Sequence, residues 1–168
     1  MIILGIDPGT TAIGFALLEC ERGRPPRLIE SGLLAVTSRE TTERLGELHR
    51  ALSAIITRAR PDVMAVEKLF FAKNAKTAMD VAQARGAILL TAALHRVSVY
   101  EYTPLEVKSA VAGDGRADKR AIQKMVTLTL PETRGMRARD DVFDAIAVAL
   151  ACHFKKFSSF QGREHIIK

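Results

Sequence analysis

Three strand-forming segments open the chain before the first helical pattern, and this order restricts the fold more than any other feature. Apolar runs predict five strands, over residues 2–6, 12–18, 28–36, 63–66 and 97–102. Glycine and proline separate the second strand from the third, and helical patterns precede the fourth and fifth. The order predicts an α/β fold with a five-stranded mixed sheet flanked by helices, antiparallel at its start and parallel where helices intervene.

The helical patterns give the rest of the domain. Helices are predicted over residues 41–58, 74–95, 104–111, 118–130 and 140–153, and Asn74 is the expected N-cap of the second. Neither an internal repeat nor a long linker divides the sequence, so we predict a single domain over 1–154. Residues 155–168 form a basic tail with aromatic residues, which could contact DNA or remain disordered.

The positive charge of the chain is concentrated in one segment. The 168 residues carry a net charge of +6. The segment 103–139 holds eight basic and four acidic residues, and so carries +4 of that total. This excess is typical of proteins that bind nucleic acids, because contact with phosphates releases counterions. A solvated helix face would give the same count.

Composition argues against several other classes of protein. The two cysteines, Cys20 and Cys152, form no CxxC pair, and the four histidines lack metal-binding spacing, which disfavours a disulfide framework or a zinc site. No apolar stretch reaches the roughly 20 residues that span a membrane. The apolar N-terminus lacks the basic leader and cleavage site of a signal peptide. We therefore expect a cytoplasmic protein without membrane association.

Four acidic residues lie where the predicted fold would bring them together. Asp7 and Glu67 each follow the apolar run of a predicted strand, and such strand ends meet at one edge of an open α/β sheet. Asp141 and Asp144 are three residues apart on the last helix and so share a face. Asp144 lies in an almost wholly apolar helix, where a carboxylate needs a cation or a basic partner, such as an arginine of 137–139.

Some of these acids have simpler explanations. Asp7 could merely begin the turn that continues with Pro8 and Gly9, and Asp140 or Asp141 could cap the last helix. Together, however, the four carboxylates would form an all-oxygen site of the kind that Mg²⁺ or Mn²⁺ prefers. Two such ions, roughly 3.5–4 Å apart, are a known arrangement for phosphodiester cleavage. The acids therefore predict a metal-dependent nuclease.

Several short motifs, in their order and spacing, resemble the RuvC family of Holliday junction resolvases over most of the chain. The matching segments are Gly5-Ile6-Asp7-Pro8-Gly9-Thr10 with Gly14, Val66-Glu67 with Phe70, Gln83-Ala84-Arg85-Gly86, Val107-Lys108, Gly115-Arg116-Ala117-Asp118-Lys119-Arg120 and Asp141-Val142-Phe143-Asp144-Ala145-Ile146-Ala147. Each motif is modest alone, but the series is specific. The resemblance implies a ribonuclease H-like fold, a homodimer and partnership with a branch-migration helicase.

The resemblance also implies an activity and the residues that perform it. It implies an endodeoxyribonuclease of recombination and repair that nicks two strands of like polarity in a four-way DNA junction, leaving 5′-phosphate and 3′-hydroxyl ends. Six residues fall on the family's catalytic positions, namely Asp7, Glu67, Asp141, Asp144, Lys108 and Lys119. The four acids would hold two Mg²⁺ or Mn²⁺ ions, and some family members carry histidine at the position of Asp141. The two lysines would act near the scissile phosphate, but ordinary surface lysines are the alternative.

A wider set of residues is expected to contact DNA. The set is Phe70, Phe71, Lys73, Lys76, Arg85, Lys108, Arg116, Lys119 and Arg120. Phe70 falls where the family places an aromatic residue that stacks on bases at the junction centre, and Phe71 is a second candidate for that role. An aromatic side chain stacked on an exposed base contributes about 1–3 kcal/mol. A place in the hydrophobic core is the alternative for Phe70.

Small residues form one face of the second predicted helix. They are Ala75, Ala78, Ala82 and Gly86, at spacings of three and four residues. Small residues allow close approach of a partner, which could be the protein's own sheet or a second subunit. The sequence alone does not choose between these two partners.

Three other functions are compatible with parts of the sequence. The segment 6–11 also resembles the phosphate-binding hairpin of actin-like ATPases and sugar kinases, but those folds need two lobes. A ribonuclease H-like nuclease acting on RNA or ordinary duplex would use the same four carboxylates. A catalytically silent DNA-binding module is disfavoured, because four acids facing DNA would weaken binding unless cations offset their charge.

Overall fold

A computed structural model describes residues 1–9, 12–68 and 75–161, apart from the side chains of 75–77 and 157–161. The elements follow the predicted order. They are β1 (Ile2–Asp7), β2 (Gly14–Glu19), β3 (Arg27–Leu33), α1 (Thr41–Ala59), β4 (Val63–Glu67), α2 (Ala75–Leu94), β5 (Ser98–Tyr102), α3 (Pro104–Ala112), α4 (Lys119–Thr129), a 3₁₀ turn (Pro131–Thr133) and α5 (Asp140–Gln161). Asn74, the expected cap of α2, lies outside the described residues.

The five strands form one mixed sheet in the order β3-β2-β1-β4-β5. The pairs β1–β2 and β2–β3 are antiparallel, whereas β1–β4 and β4–β5 are parallel, which confirms the predicted architecture. Because β1 and β4 are parallel neighbours, their C-terminal ends lie at the same edge of the sheet. Asp7 and Glu67 are the last residues of these two strands, so the sheet itself brings them side by side.

Helices cover both faces of the sheet. On one face, α1 and α2 bury Leu48, Leu52 and Ile88. On the other face lies α5, whose residues 145–152 are all buried, with α3 and α4 packed beside it. A helix that is apolar all round must be covered on every side, and α5 is covered by the sheet, α3 and α4.

Two glycines let α5 lie unusually close to the sheet. A Cβ atom on Gly14 would overlap the backbone carbonyl of Asp141. A Cβ atom on Gly5 would overlap the carbonyl oxygen of Ala145 and lie 2.7 Å from the Cβ of Ala149. The close approach fixes the first two turns of α5 against β1 and β2, which is where the acids of that helix lie.

Two element ends differ from the sequence prediction by three residues or more. Strand β3 ends at Leu33 rather than at residue 36, and the Leu34 amide donates to the Ile13 carbonyl, which precedes β2. Leu34 and Val36 are nonetheless buried, which explains why they looked like strand residues. Helix α5 continues to Gln161 rather than ending at 153. Within the described residues, no helix has both the length and the apolar character to cross a membrane.

Candidate active site

Four carboxylates gather where the edge of the sheet meets the start of α5. Asp7 and Glu67 come from the ends of β1 and β4, whose residues Ile6 and Val66 are paired in register. Asp141 and Asp144 lie in the first two turns of α5, which packs on β1. Asp7 lies near enough to Glu67, Asp144 and Asp141 for the charge of each to act on its carboxyl group.

The crowding of these acids changes their protonation. Burial is the largest cause that raises the pKa of Asp7 to about 8, and the charges of Glu67, Asp144 and Asp141 raise it further. Burial, followed by the charge of Asp144, also raises the pKa of Glu67, while a hydrogen bond with Asp7 and the charge of Lys108 act in the opposite direction. At neutral pH, Asp7 therefore holds a proton that it shares with Glu67 unless a cation takes the place of that proton.

Basic side chains partly compensate the acids on α5. The Lys119 ammonium lies 3.1 Å from Asp140 Oδ2 and 3.4 Å from Asp144 Oδ2. The Arg139 Nε atom lies 3.4 Å from Asp141 Oδ2. Burial raises the pKa of Asp144, and the charge of Lys119 only partly opposes this effect. The basic partner of Asp144 is thus Lys119, on α4, and not the neighbouring arginines that the sequence suggested.

A cavity of about 280 Å³ opens beside these acids. Its walls come from β4, α3, α4 and α5, and the lining residues are Glu67, Pro104, Val107, Lys108, Lys119, Ile122, Asp144, Ala147 and Val148. Two carboxylates and two ammonium groups thus face one pocket with an otherwise mainly apolar lining. Such a pocket offers cation ligands on one side and positive charge for an anionic substrate on the other.

The donor chemistry of the site fits divalent metal ions. The four side chains offer only carboxylate oxygens, the ligands that Mg²⁺ and Mn²⁺ prefer. The raised pKa of Asp7 means that its ionised form lacks sufficient positive charge nearby, which a divalent ion would supply. Among the residues that the structure describes, however, no three His, Cys, Asp or Glu side chains are already arranged as a metal cage. In the structure, Asp7 is hydrogen-bonded to Glu67, Asp144 is paired with Lys119, and Asp141 is paired with Arg139.

The other residues expected to contact DNA are spread over the surface. Arg116 and Arg120 are exposed, one in the loop before α4 and one in its first turn. Arg85 instead forms an ion pair with Glu101 of β5, and its Nε atom is buried without a hydrogen-bond partner in the described part of the chain. The remaining predicted contacts lie outside the described residues, namely Phe70, Phe71, Lys73 and the side chain of Lys76.

Sequence reasoning missed two polar contacts around the pocket. Asp140, interpreted only as a helix cap, shares Lys119 with Asp144. Thr103 and Glu106 form a reciprocal capping box at the start of α3, the helix that carries Lys108. The spacing of threonine and glutamate, three residues apart before an apolar run, is a sequence signal that could have revealed the second contact.

Known proteins with similar sequences cover almost the whole chain. A family model described as "Crossover junction endodeoxyribonuclease RuvC" matches residues 3–153. A protein of that name from Chloroflexus aurantiacus is 50% identical over 154 residues, which cover 91% of this chain and 92% of the relative. Another from Moorella thermoacetica is 46% identical over 164 residues, with coverage of 98% and 96%.

Solved structures agree with the sequence comparison. T. thermophilus RuvC in complex with Holliday junction substrate superimposes with a TM-score of 0.87 at 33% identity, covering 95% of this chain and 96% of that one. The yeast mitochondrial Holliday junction resolvase has a TM-score of 0.70 at 12% identity, with coverage of 96% and 83%, and shows the fold alone. The sheet and its helices are thus a ribonuclease H-like fold, and the chain belongs to the RuvC family of crossover junction endodeoxyribonucleases.

Proposed function

We propose that the chain resolves four-way DNA junctions as a metal-dependent endodeoxyribonuclease in recombination and repair. It would nick two strands of like polarity and leave 5′-phosphate and 3′-hydroxyl ends. The observation that carries this proposal is a cluster of four carboxylates in a chain of the RuvC family, beside a pocket that Glu67 and Asp144 line together with two lysines. The relative from T. thermophilus, which was solved with a Holliday junction substrate, supports the choice of DNA substrate.

The four carboxylates would hold two divalent ions, Mg²⁺ or Mn²⁺. Asp7 is the central ligand of this proposal, because it ends the central strand of the sheet and lies among the other three acids. The chemistry supplied at such a site is activation of a water nucleophile and stabilisation of the leaving oxygen. Asp7 and Glu67 would lose their shared proton when the ions bind. Asp141 and Asp144 would supply the carboxylate ligands that come from α5.

Lys119 and Lys108 would act on the phosphate rather than on the ions. Lys119 is half-exposed and bound to two carboxylates, so an incoming scissile phosphate competes with Asp140 and Asp144 for its ammonium group. Lys108 faces the same pocket beside Glu67. Both ammonium groups would stabilise the charge that develops on the phosphate oxygens during hydrolysis.

Lys119→Ala is expected to lower the single-turnover rate of junction cleavage roughly 10²-fold, because one preorganised positive charge at the phosphate is lost. Junction affinity should change less than threefold, because the other basic residues proposed to contact the DNA backbone are retained. The matched control is Lys124→Ala, an exposed lysine on the same helix that does not line the pocket. Equal rate losses in the two variants would contradict a role for Lys119 at the phosphate.

The outer face of α2 supports a homodimer. Met79, Leu90 and Leu94 are 69%, 60% and 65% exposed and lie on one stripe of the helix with Gly86. A Cβ atom on Gly86 would meet no atom of the described residues within 4 Å, which leaves room for a partner at this face. Symmetric nicking of two strands also requires two active sites, which a second copy of this chain would supply.

Leu90→Lys is expected to convert the dimer to monomers, because it buries a charge at the centre of the proposed interface. Sedimentation velocity at micromolar concentration measures the change. The control is Leu128→Lys, which alters a leucine that is 57% exposed on α4 and should leave the dimer intact. A wild-type protein that sediments as a monomer at the working concentration of the cleavage assay would contradict the homodimer.

The remaining DNA contacts are proposed from the family resemblance and the charge of the chain. Phe70, with Phe71 as the second candidate, would stack on bases at the junction centre. The basic residues would contact the DNA backbone, namely Lys73, Lys76, Arg85, Arg116 and Arg120. Arg85 would first have to leave Glu101. We also propose that the enzyme acts in the cytoplasm, and that it works with a branch-migration helicase, as the resemblance implies.

A panel of substrates separates this function from its rivals. The purified protein is incubated with a labelled four-way junction, a linear duplex of the same sequence and an RNA–DNA hybrid, each with Mg²⁺, Mn²⁺ or chelator. We expect cleavage of the junction alone and only with a divalent ion. Equal cleavage of the duplex or the hybrid would support the proposed nuclease activity but contradict the proposed preference for junctions. Junction binding without cleavage would instead indicate a silent binding module.

A further inference from the structure

The far end of α5 contacts the helix that carries Lys108. The Lys155 ammonium donates to Glu106 Oε1 at 2.7 Å and lies 5.2 Å from the centre of the Tyr102 ring. Lys155 is eleven residues beyond Asp144, about three turns and roughly 16 Å along the same helix. It also lies beyond residues 3–153, the part of the chain that matches the family model.

Glu106 links Lys155 to the residue that caps α3. Its other carboxylate oxygen, Oε2, accepts from the Thr103 amide at 2.9 Å and from the Thr103 hydroxyl at 3.0 Å. The hydrogen bond from Lys155 is the largest cause that lowers the pKa of Glu106 to about 2, so the carboxylate stays ionised even at pH values at which an ordinary glutamate is protonated. The first turn of α3 is therefore held both by its own capping box and by a charge from α5.

The first turn of α3 and Lys108, which follows it, form one wall of the active-site pocket. Pro104, Val107 and Lys108 line the cavity together with Asp144. Val107 is buried in the core that α3 shares with α5, so the packing of the two helices fixes the direction in which Lys108 projects. Helix α5 thus supplies acids to the pocket at one end and restrains the basic wall of the pocket at the other.

We propose that Lys155 is a positioning residue for catalysis. Through Glu106, it fixes the first turn of α3 relative to α5 and so places the Lys108 ammonium group at the scissile phosphate. Lys155 itself does not line the pocket. The inference rests on the proposed nuclease function, because it assigns Lys108 a part in the reaction. The competing explanation is that Lys155 merely attaches the end of α5 to the domain.

Cleavage kinetics of matched variants test the role of Lys155. Lys155→Met keeps the aliphatic length of the side chain over Tyr102 but removes the charge, and Lys155→Arg restores it. The control is Lys156→Met, whose lysine lies 4.1 Å from the centre of the Tyr100 ring, on the edge strand β5. We expect roughly tenfold slower single-turnover cleavage for Lys155→Met, because a misplaced catalytic group loses rate steeply. Junction affinity should stay within twofold, and Lys155→Arg and Lys156→Met should cleave within twofold of wild type.

The same substitution in a Lys108→Ala background separates positioning from simple attachment. If Lys155 acts through Lys108, Lys155→Met costs little or nothing further once Lys108 is absent. Each variant is assayed at a temperature at which its circular dichroism matches that of the folded wild type. The same tenfold loss in both backgrounds, or no loss in either, would overturn the inference while the proposed function stands. A wild-type protein that cleaves no junction would overturn both.

Discussion

Asp7→Asn is expected to lower the rate of junction cleavage by at least about 10³-fold and, without divalent ions, to make the protein more stable. The loss of rate follows because the amide cannot replace the central carboxylate ligand of the proposed metal site. The gain in stability follows from the pKa of Asp7, which is about 8 in the folded protein against a reference value of 3.8. The folded state therefore binds this proton more tightly than the unfolded state does.

The sign of the pH dependence follows from that difference. Below about pH 4, Asp7 is protonated in both the folded and the unfolded state and does not lower the free energy of unfolding. As the pH rises from about 4 to about 8, the unfolded chain releases the proton and the folded chain retains it, so stability falls. At pH 8, the variant lacks this cost and should be more stable by roughly 1–3 kcal/mol, or several degrees in melting temperature.

Thermal unfolding in chelator, at pH 5 and at pH 8, measures this effect. The gain in stability of Asp7→Asn over wild type should be clearly larger at pH 8. Adding Mg²⁺ or Mn²⁺ should raise the melting temperature of wild type but leave that of the variant nearly unchanged. The control is Glu132→Gln, which changes an exposed acid on the 3₁₀ turn. A variant that is less stable than wild type at pH 8 in chelator would contradict the electrostatic account of the site.

Gly14→Ala is expected to cost about 3 kcal/mol of unfolding free energy and to abolish most cleavage. The new methyl group would overlap the Asp141 carbonyl, which belongs to backbone and cannot turn away as a side chain can. Helix α5 would have to retreat from the sheet, and Asp141 and Asp144 would move with it. Activity should therefore fall even at temperatures where the variant is fully folded.

The matched control for this prediction is Gly46→Ala, in the second turn of α1. There the nearest atom to the new methyl group is a terminal nitrogen of Arg50, 3.2 Å away, and that flexible side chain can move. Alanine also favours the helix by up to about 1 kcal/mol, so this variant should be as stable as wild type or more so. Urea denaturation and junction cleavage are measured on both variants. A Gly14→Ala protein with unchanged stability would show that α5 is not packed as closely as the structure indicates.

The mixed sheet and the proximity of the four acidic residues could be predicted from the sequence. Strand ends and helix periodicity are local patterns, and Asp7, Glu67 and the acids of α5 sit at positions that those patterns locate. The partners of the acids were not predictable, because they depend on how the helices pack. Lys119 is 25 residues from Asp144, and only the packing of α4 against α5 brings the two together.

The extent of α5 was missed for a similar reason. Residues 154–161 look like a frayed tail in sequence, because the apolar run of the helix ends near residue 153. In the structure, Lys155 and Lys156 contact Glu106, Tyr102 and Tyr100 on neighbouring elements. These tertiary contacts stabilise the last turns of α5, which lie beyond the end of its apolar pattern.

We expect the acid cluster to catalyse divalent-metal-dependent, symmetric incision of a four-way junction. The most direct test is to map the nicks on a synthetic junction labelled in each strand in turn, with Mg²⁺, and then to treat the product with DNA ligase. We predict nicks at matching positions in two strands of like polarity, none in chelator, and products that ligase reseals because the ends are 5′-phosphate and 3′-hydroxyl. Cleavage that persists in chelator, falls at unrelated positions or leaves ends that ligase cannot join would contradict metal-dependent resolution by these acids.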